Sequence, residues 1–478
     1  MKRMILGATI ATVATVALAG PAMAEAKTDQ VSVQVDHQLG TVPRQAVGIN
    51  DPLWDEHQTD PQVPGLLRKA GVRMRSFNGG PLSDVYRWRT NTADPDPIIE
   101  NVGVKPAAGN DFDSFMARAR KTGAEAMVHV NYGSRVDDGP QEAADWVRHA
   151  NVEKHDNVKY WEIGEEVYGN GFYPIAPQGA WEPDHHADKS PQAYGKAVLE
   201  YVKAMKAVDP SIKIGVGVLG FGKPGQDWDS DVLSVVGKDI DFIDMHAYPE
   251  FAVSTDDYLL HSADHLPGLM ASLRAKLAAN GGEKAEVVVG EMNNNGVVPG
   301  QQSVGVVDAM YLADAMPTWI EQGASSVNWF ATHNSPTLVR DASGKAIGYG
   351  DYGMLSTGEC KEGFCEPKAN TPFPTYYGMQ LAAKVLRPGA NLLATTSSDQ
   401  RNVTAHASQR ADGSITVLLI NKDASNAHQV NLSVPGFRMG CEVESYGQGD
   451  KSVQHRRQQA DAPLVLAPYS LTEVVLHK

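Results

Sequence analysis

Two glutamates of this chain stand where a carboxylate is costly to place. Glu166 ends the run Tyr160-Trp-Glu-Ile-Gly-Glu-Glu166, and Glu291 follows Val287-Val-Val-Gly. A carboxylate at the end of an apolar run needs a partner, a shifted pKa, or the solvent beyond a buried strand. Two such groups facing each other across a cleft can divide the cleavage of a glycosidic bond, one as acid and then base, the other as nucleophile. Other groups end apolar runs in the same manner: Asn78 after Arg75-Ser-Phe, Asn131 after Val128-His-Val, His246 and Tyr248 in Asp244-Met-His-Ala-Tyr-Pro249, and Trp329 after Ser326-Val-Asn. Asn78 and Asn131 suit hydroxyl binding or the capping of a loop. Trp329 suits an apolar platform for a sugar face or core packing.

These endings recur because strand and helix signals alternate along the chain. Strands are predicted at 45–50, 72–77, 125–132, 160–166, 213–218, 242–248, 286–292 and 326–332, several as continuous apolar runs of the kind covered on both faces. Amphipathic segments such as 111–122, 193–208, 264–279 and 303–322 lie between them. Eight such units predict an α/β protein built on a (β/α)8 TIM barrel, whose active site gathers at the C-terminal ends of its strands. A doubly wound open sheet is the runner-up, but no Gly-rich dinucleotide or phosphate loop follows the first strand. Beyond a helix near 376–386 the texture changes to short alternating runs at 403–407, 414–421, 429–434, 441–445 and 464–476, which predict an antiparallel β-sandwich. The alternation at 31–35 predicts one more strand for it. The expected division is a signal segment at 1–24, a strand within 25–40 joining the β-domain, the catalytic barrel at 41–388, and the β-domain at 389–478.

Composition narrows the partners. The 478 residues carry a formal charge of −15, and the one basic run, His455-Arg456-Arg457, reads as a solvated loop, so no nucleic-acid partner is expected. Lys2 and Arg3, the apolar stretch Met4 to Leu18 and the triplet Ala22-Met-Ala24 predict a cleaved secretory signal, hence a secreted or periplasmic protein; a retained anchor is the alternative. No later segment supplies roughly 20 uninterrupted apolar residues, so no membrane association is expected after cleavage. In an exported chain Cys360 and Cys365 are predicted to form a disulfide, with Cys441 left over. Neither these cysteines nor the adjacent histidines of Asp184-His185-His186 stand at metal-ligand spacing, so no metal and no other cofactor is expected.

Trp161-Glu-Ile-Gly-Glu-Glu166 resembles the Trp-x-x-Gly-Asn-Glu ending of the fourth strand in clan A retaining glycoside hydrolases, above all family 51 α-L-arabinofuranosidases and families 39 and 79. Arg75-Ser-Phe-Asn-Gly-Gly-Pro, with its downstream Tyr86-Arg-Trp88, is similar to their Arg-Tyr-Pro-Gly-Gly stretch. Met127-Val-His-Val-Asn-Tyr-Gly133 and Glu142-Ala-Ala-Asp-Trp-Val147 resemble their third strand and the helix after it. The resemblance implies Glu166 as acid/base, Glu291 as nucleophile, Arg75 as the arginine that keeps the nucleophile ionised, and Tyr248 as its hydrogen-bonding tyrosine, with His246 on the same wall. One residue departs from the pattern: Glu165 stands where the family has the asparagine whose amide meets the substrate 2-hydroxyl. Glu165 therefore predicts an unusual group at that carbon, or an exchange of roles with Glu166.

The resulting expectation is a cofactor-free retaining glycosidase acting on a polysaccharide or oligosaccharide, most simply an exo-acting arabinofuranosidase-like enzyme. An endo-glycanase, glucuronidase or xylosidase of the same clan is the alternative within the class. A non-catalytic carbohydrate-binding protein on the same barrel is the alternative outside it. The mechanism further requires Glu166 to start protonated while Glu291 is ionised.

Overall fold

The computed structural model describes residues 28–458 and 463–478 apart from residue 253. The predicted signal at 1–24 lies outside the described residues. The first strand, β1 (Thr28–Thr41), precedes eight parallel strands: β2 (Val47–Pro52), β3 (Met74–Asn78), β4 (Glu125–Val130), β5 (Tyr160–Ile163), β6 (Lys213–Val218), β7 (Phe242–Ala247), β8 (Glu286–Met292) and β9 (Ser326–Trp329). These eight close on themselves, β9 pairing with β2, to form the barrel. The crossover helices are α1 (Val63–Ala70), α2 (Phe112–Thr122), α3 (Gly139–Val147), α4 (Pro191–Val208), α5 (Trp228–Val236), α6 (Leu266–Ala279), α7 (Val306–Glu321) and α8 (Pro374–Val385). Their ends are written in the sequence. Asp111 caps α2 by accepting from Ser114 N–H at 2.9 Å, and Gly123 closes it at φ 79°.

Alternation along each strand sorts its residues into an inner and an outer set. At the bottom of the barrel Met74, Met127, Tyr160, Phe242 and Val288 form an apolar plug. Outward residues such as Phe77, Val128, Trp161, Ile243 and Val289 pack against the helices. Above the plug the interior turns polar, with Ser76, His129, Glu162, Asp244 and Asn328, all buried. Glycines make that layer possible. A Cβ on Gly290 of β8 would sit 1.9 Å from an Asp244 oxygen, and one on Gly48 of β2 1.7 Å from the Asn328 amide oxygen.

The remaining strands are β10 (Asn391–Ser397), β11 (Val403–Gln409), β12 (Ile415–Asn421), β13 (His428–Ser433), β14 (Arg438–Gly447), β15 (Gln454–Arg457), β16 (Leu464–Leu466) and β17 (Ser470–His477). With β1 they form a nine-stranded sheet in the order β15-β14-β17-β12-β11-β10-β1-β13-β16, antiparallel except where β1 runs parallel to β13. β12 is buried on both faces: Ile415, Val417 and Leu419 enter the sheet's own core, while Leu418 and Ile420 join the core of the barrel. The run 464–476 divides into two strands. The basic run is no loop but the exposed strand β15, whose four residues all face solvent. A hairpin, Thr337–Arg340 with Ala346–Gly350, follows β9 and has no counterpart in the predicted elements. Cys360 and Cys365 form the disulfide, and Cys441 is a free, exposed thiol.

Candidate active site

β5 stops at Ile163, and the chain leaves it through Gly164 at φ 76° and Glu166 at φ 38°. A non-glycine residue in that left-handed region is strained and persists only where its surroundings hold it. Here they do. Glu166 Oε1 accepts hydrogen bonds from Tyr168 Oη and His246 Nδ1, both at 2.7 Å, and its Oε2 accepts from Trp181 Nε1 at 2.8 Å. Glu291 reaches the mouth by another device. The register of β8 against β7 shifts between Val288 and Glu291, and this bulge turns the glutamate to the inner face that Val288 occupies below it.

Glu291 is 6% exposed. Its Oε2 accepts from Tyr248 Oη at 2.5 Å and its Oε1 from Asn78 Nδ2 at 2.9 Å. His246 stands between the two glutamates, its Nδ1 2.7 Å from Glu166 and 3.6 Å from Glu291. Glu165 lies beneath them without exposed surface. Its Oε1 accepts from the same Asn78 Nδ2 at 3.2 Å and lies 3.6 Å from His246 Nε2, while its Oε2 is 2.5 Å from His129 Nδ1.

The electrostatics of this group are coupled. Burial raises the Glu166 carboxyl but is outweighed by the bond from His246, that ring's charge, and the bonds from Tyr168 and Trp181, so it lies below the usual carboxylate range. Burial, opposed by the His246 charge and reinforced by Glu165 and Glu166, pushes Glu291 up to about 7. Glu165 is pushed up to about 8 by burial, again against the pull of His246. Burial disfavours a charge on His246, but Glu291, Glu166 and Glu165 overcome it and hold the ring well above its ordinary value. These directions run opposite to the expectation of a protonated Glu166 beside an ionised Glu291. The hydrogen bond between His246 Nδ1 and Glu166 Oε1 joins the group that burial and charge favour as cation to the one they favour as anion.

Several assignments made from sequence change here. Arg75 does not touch Glu291: it projects from the outer face of β3, where it donates to Asp51 at 2.5 Å, Gln58 at 2.7 Å and Thr122 at 3.1 Å. Asn78, three residues on and on the inner face, supports Glu291 instead. Trp329 is fully buried on the outer face of β9, 6.3 Å from the ring of Tyr311, and offers no platform. The Asn131 amide is spent on the Tyr86 carbonyl at 3.1 Å and Ser134 Oγ at 2.8 Å, which fixes the loop after β4. Glu165, being buried, presents nothing to a substrate carbon. Tyr248 and His246 stand beside Glu291 and Glu166.

The insertion 168–188 reads in the sequence as an aromatic wall of the cleft suited to sugar stacking or lid packing; in the structure its Tyr168 and Trp181 donate to Glu166. Sequence reasoning missed the inward His129 and Asp84. Asp84 accepts from the backbone N–H of Tyr132, Gly133 and Glu165 at 2.9 to 3.0 Å, pinning the turns after β4 and β5. Only His129, a lone polar residue in Met127-Val-His-Val130, carried a signal in the strand pattern. Three groups among the described residues have metal-ligand composition, two of them in the barrel: Glu165, His246 and Glu291 at the mouth, and His129, Glu162 and Asp244 below it.

No family model matches the chain. It is 25% identical over 205 residues to the intracellular exo-α-(1→5)-L-arabinofuranosidase 1 of Bacillus subtilis, a match covering 41% of this chain and 40% of that protein. It is 24% identical over 280 residues to the probable α-L-arabinofuranosidase C of Aspergillus fumigatus, covering 52% of this chain and 50% of the relative. The chain resembles the family 51 arabinofuranosidases. It spans about half or less of the length of the curated relatives it matches. The fold extends the likeness along nearly the whole chain. The α-L-arabinofuranosidase of Thermotoga maritima, solved with arabinose, superposes with a TM-score of 0.69 at 16% identity over 94% of this chain and 99% of its own. A family 44 xyloglucanase of Paenibacillus polymyxa superposes at 0.65 with 13% identity, over 95% and 100% of the two chains. A barrel with a β-domain, the fold these enzymes share, is therefore the architecture that carries Glu166 and Glu291.

Proposed function

We propose that this protein is a retaining glycoside hydrolase, exo-acting and arabinofuranosidase-like, with Glu291 as nucleophile and Glu166 as acid/base. The observation that carries this reading is the reach of His246 Nδ1 to both glutamates, 2.7 Å to one and 3.6 Å to the other. One ring nitrogen within reach of both brings the two carboxylates together at the same side of the barrel mouth, the close pairing that a double displacement uses. Glu291 attacks the anomeric carbon as the glycosidic C–O bond breaks, and the proton from the His246–Glu166 hydrogen bond passes through Glu166 to the leaving oxygen. Water then attacks the same carbon, giving its proton to Glu166 and releasing Glu291. Tyr248 and Asn78 orient Glu291 through its two oxygens, and Tyr168 and Trp181 orient Glu166.

Release of nitrophenol from a panel of aryl α- and β-glycosides, comparing wild type with Glu291→Gln, tests the reading. A furanoside cleaved by wild type and untouched by the variant supports it. Cleavage of internal bonds of a polysaccharide alone indicates an endo-acting enzyme, and sugar binding without turnover a carbohydrate-binding protein. Export rests on the segment from Lys2 to Ala24. The Bacillus relative is named as intracellular. Fractionation of cells expressing the full chain decides the point, with residence in the cytoplasm against export.

A further inference from the structure

Glu165 is a third carboxylate within one side chain of both catalytic groups. Asn78 Nδ2 donates to Glu165 at 3.2 Å and to Glu291 at 2.9 Å, and the ring of His246 has Glu166 against one nitrogen and Glu165 against the other. Facing Glu165 are His129 on β4, Glu162 on β5, Glu166, Asp244 and His246 on β7, and Glu291 on β8, with Tyr168, Glu182 and Asp84 farther out. Among the described residues no lysine or arginine pairs with any of these carboxylates, so His246 is their counter-charge. Burial holds His129 neutral, its pKa pushed down to about 4.

We propose that Glu165, sharing Asn78 with the nucleophile and His246 with the acid/base, is a positioning residue that keeps the catalytic proton on the His246–Glu166 pair as pH rises, extending the reaction toward alkaline pH. The inference rests on the assignment of Glu166 and Glu291 above. Its sign follows from charge. While Glu165 carries its own proton it is neutral and adds no field, so the acidic limb belongs to Glu291. Once it ionises, a negative charge lies against His246 Nε2 and opposes loss of the proton on the other side of the ring. A glutamine has the shape of the neutral acid and cannot make that change.

The test is the pH profile of kcat/KM for Glu165→Gln and Glu165→Asp beside wild type. In Glu165→Gln the basic limb moves to lower pH by about one unit and the acidic limb stays; Glu165→Asp restores the wild-type limb. A basic limb that stays in place or moves upward in Glu165→Gln overturns the proposal. Should that variant fail to fold, 15N spectra of histidine-labelled wild type give the answer. His246 shows a shift near pH 8, where Glu165 ionises, without losing its ring proton, and absence of that step overturns the proposal. The spectra need no substrate, so a wild type that cleaves no glycoside counts against the proposed function and leaves this inference to be judged on its own.

Discussion

Two buried polar clusters in this molecule solve the same electrostatic problem in opposite ways. Where α7 meets the sheet, Asp314 pairs with Lys422 at 2.7 Å and His406 at 2.9 Å and accepts from Thr404 at 3.0 Å, while the second nitrogen of His406 meets Glu321 at 2.9 Å. Burial alone would raise the Asp314 carboxyl, but Lys422 and His406 hold it well below the carboxylate range. At the barrel mouth and just below it, Glu162, Glu165, Glu166, Asp244 and Glu291 have two imidazoles and no fixed cation. Burial and the neighbouring Asp244 raise the Glu162 carboxyl well above its ordinary range. A cluster whose charges cancel fastens two layers; one whose charges do not cancel keeps protons on call, at some cost in stability.

Exchanging charge for neutrality at one site in each cluster sharpens the contrast. Glu291→Gln should lower turnover by roughly 10⁴-fold or more, while the melting temperature holds or rises because a crowded carboxylate has gone. Asp314→Asn should do the reverse, losing about 3 to 5 kcal/mol in urea denaturation because Lys422 is left buried without its counter-ion, with kcat per folded molecule unchanged. A large stability loss in Glu291→Gln would erase the distinction. Tyr248→Phe removes one neutral donor from Glu291 and should cost about tenfold in kcat, the equivalent of about 1.4 kcal/mol. The smallest effect is one of pH. His406 is held up at about 10 in the folded protein, burial being outweighed by Glu321 and Asp314. A folded value above the unfolded one, about 6.5, means stability in full below that pH and lost as pH rises toward 10. Denaturation midpoints across this window should fall less steeply in Glu321→Gln, and an equal slope would remove His406 from the account.

The architecture was legible because barrel strands are covered on both faces and so read as apolar runs; Val287 to Val289 and Ile214 to Val218 are clear cases. The glutamates were legible because carboxylates ending such runs are rare. Arg75 and Trp329 were misplaced for want of counting parity. Arg75 lies an odd number of residues from Asn78 on one strand, and Trp329 an odd number from the inward Ser326, so neither can share its neighbour's face. Parity would also have misplaced Glu291, which reaches the interior only through the bulge at the end of β8. Tyr168 and Trp181 were legible as aromatics of a cleft-wall insertion but not as donors: the irregular segment after β5 has no period, and only the folded chain shows which aromatic N–H or O–H turns to Glu166.

The position of β1 has a consequence for the order in which the molecule can be made. Its strand neighbours are β10 and β13, and the hydrogen bond from Gln30 N–H to Ser398 Oγ spans 368 residues. During synthesis β1 leaves the ribosome ahead of the whole barrel and waits unpaired until the β-domain follows. The barrel closes only when β9 reaches β2, Val327 against Val47, and the sheet must reach farther still, joining the two ends of the described chain across it, a slow kind of closure. A strand translated ahead of the barrel is therefore among the last to be fixed, and until then its open edges are a part of the nascent chain that a chaperone would have to shield.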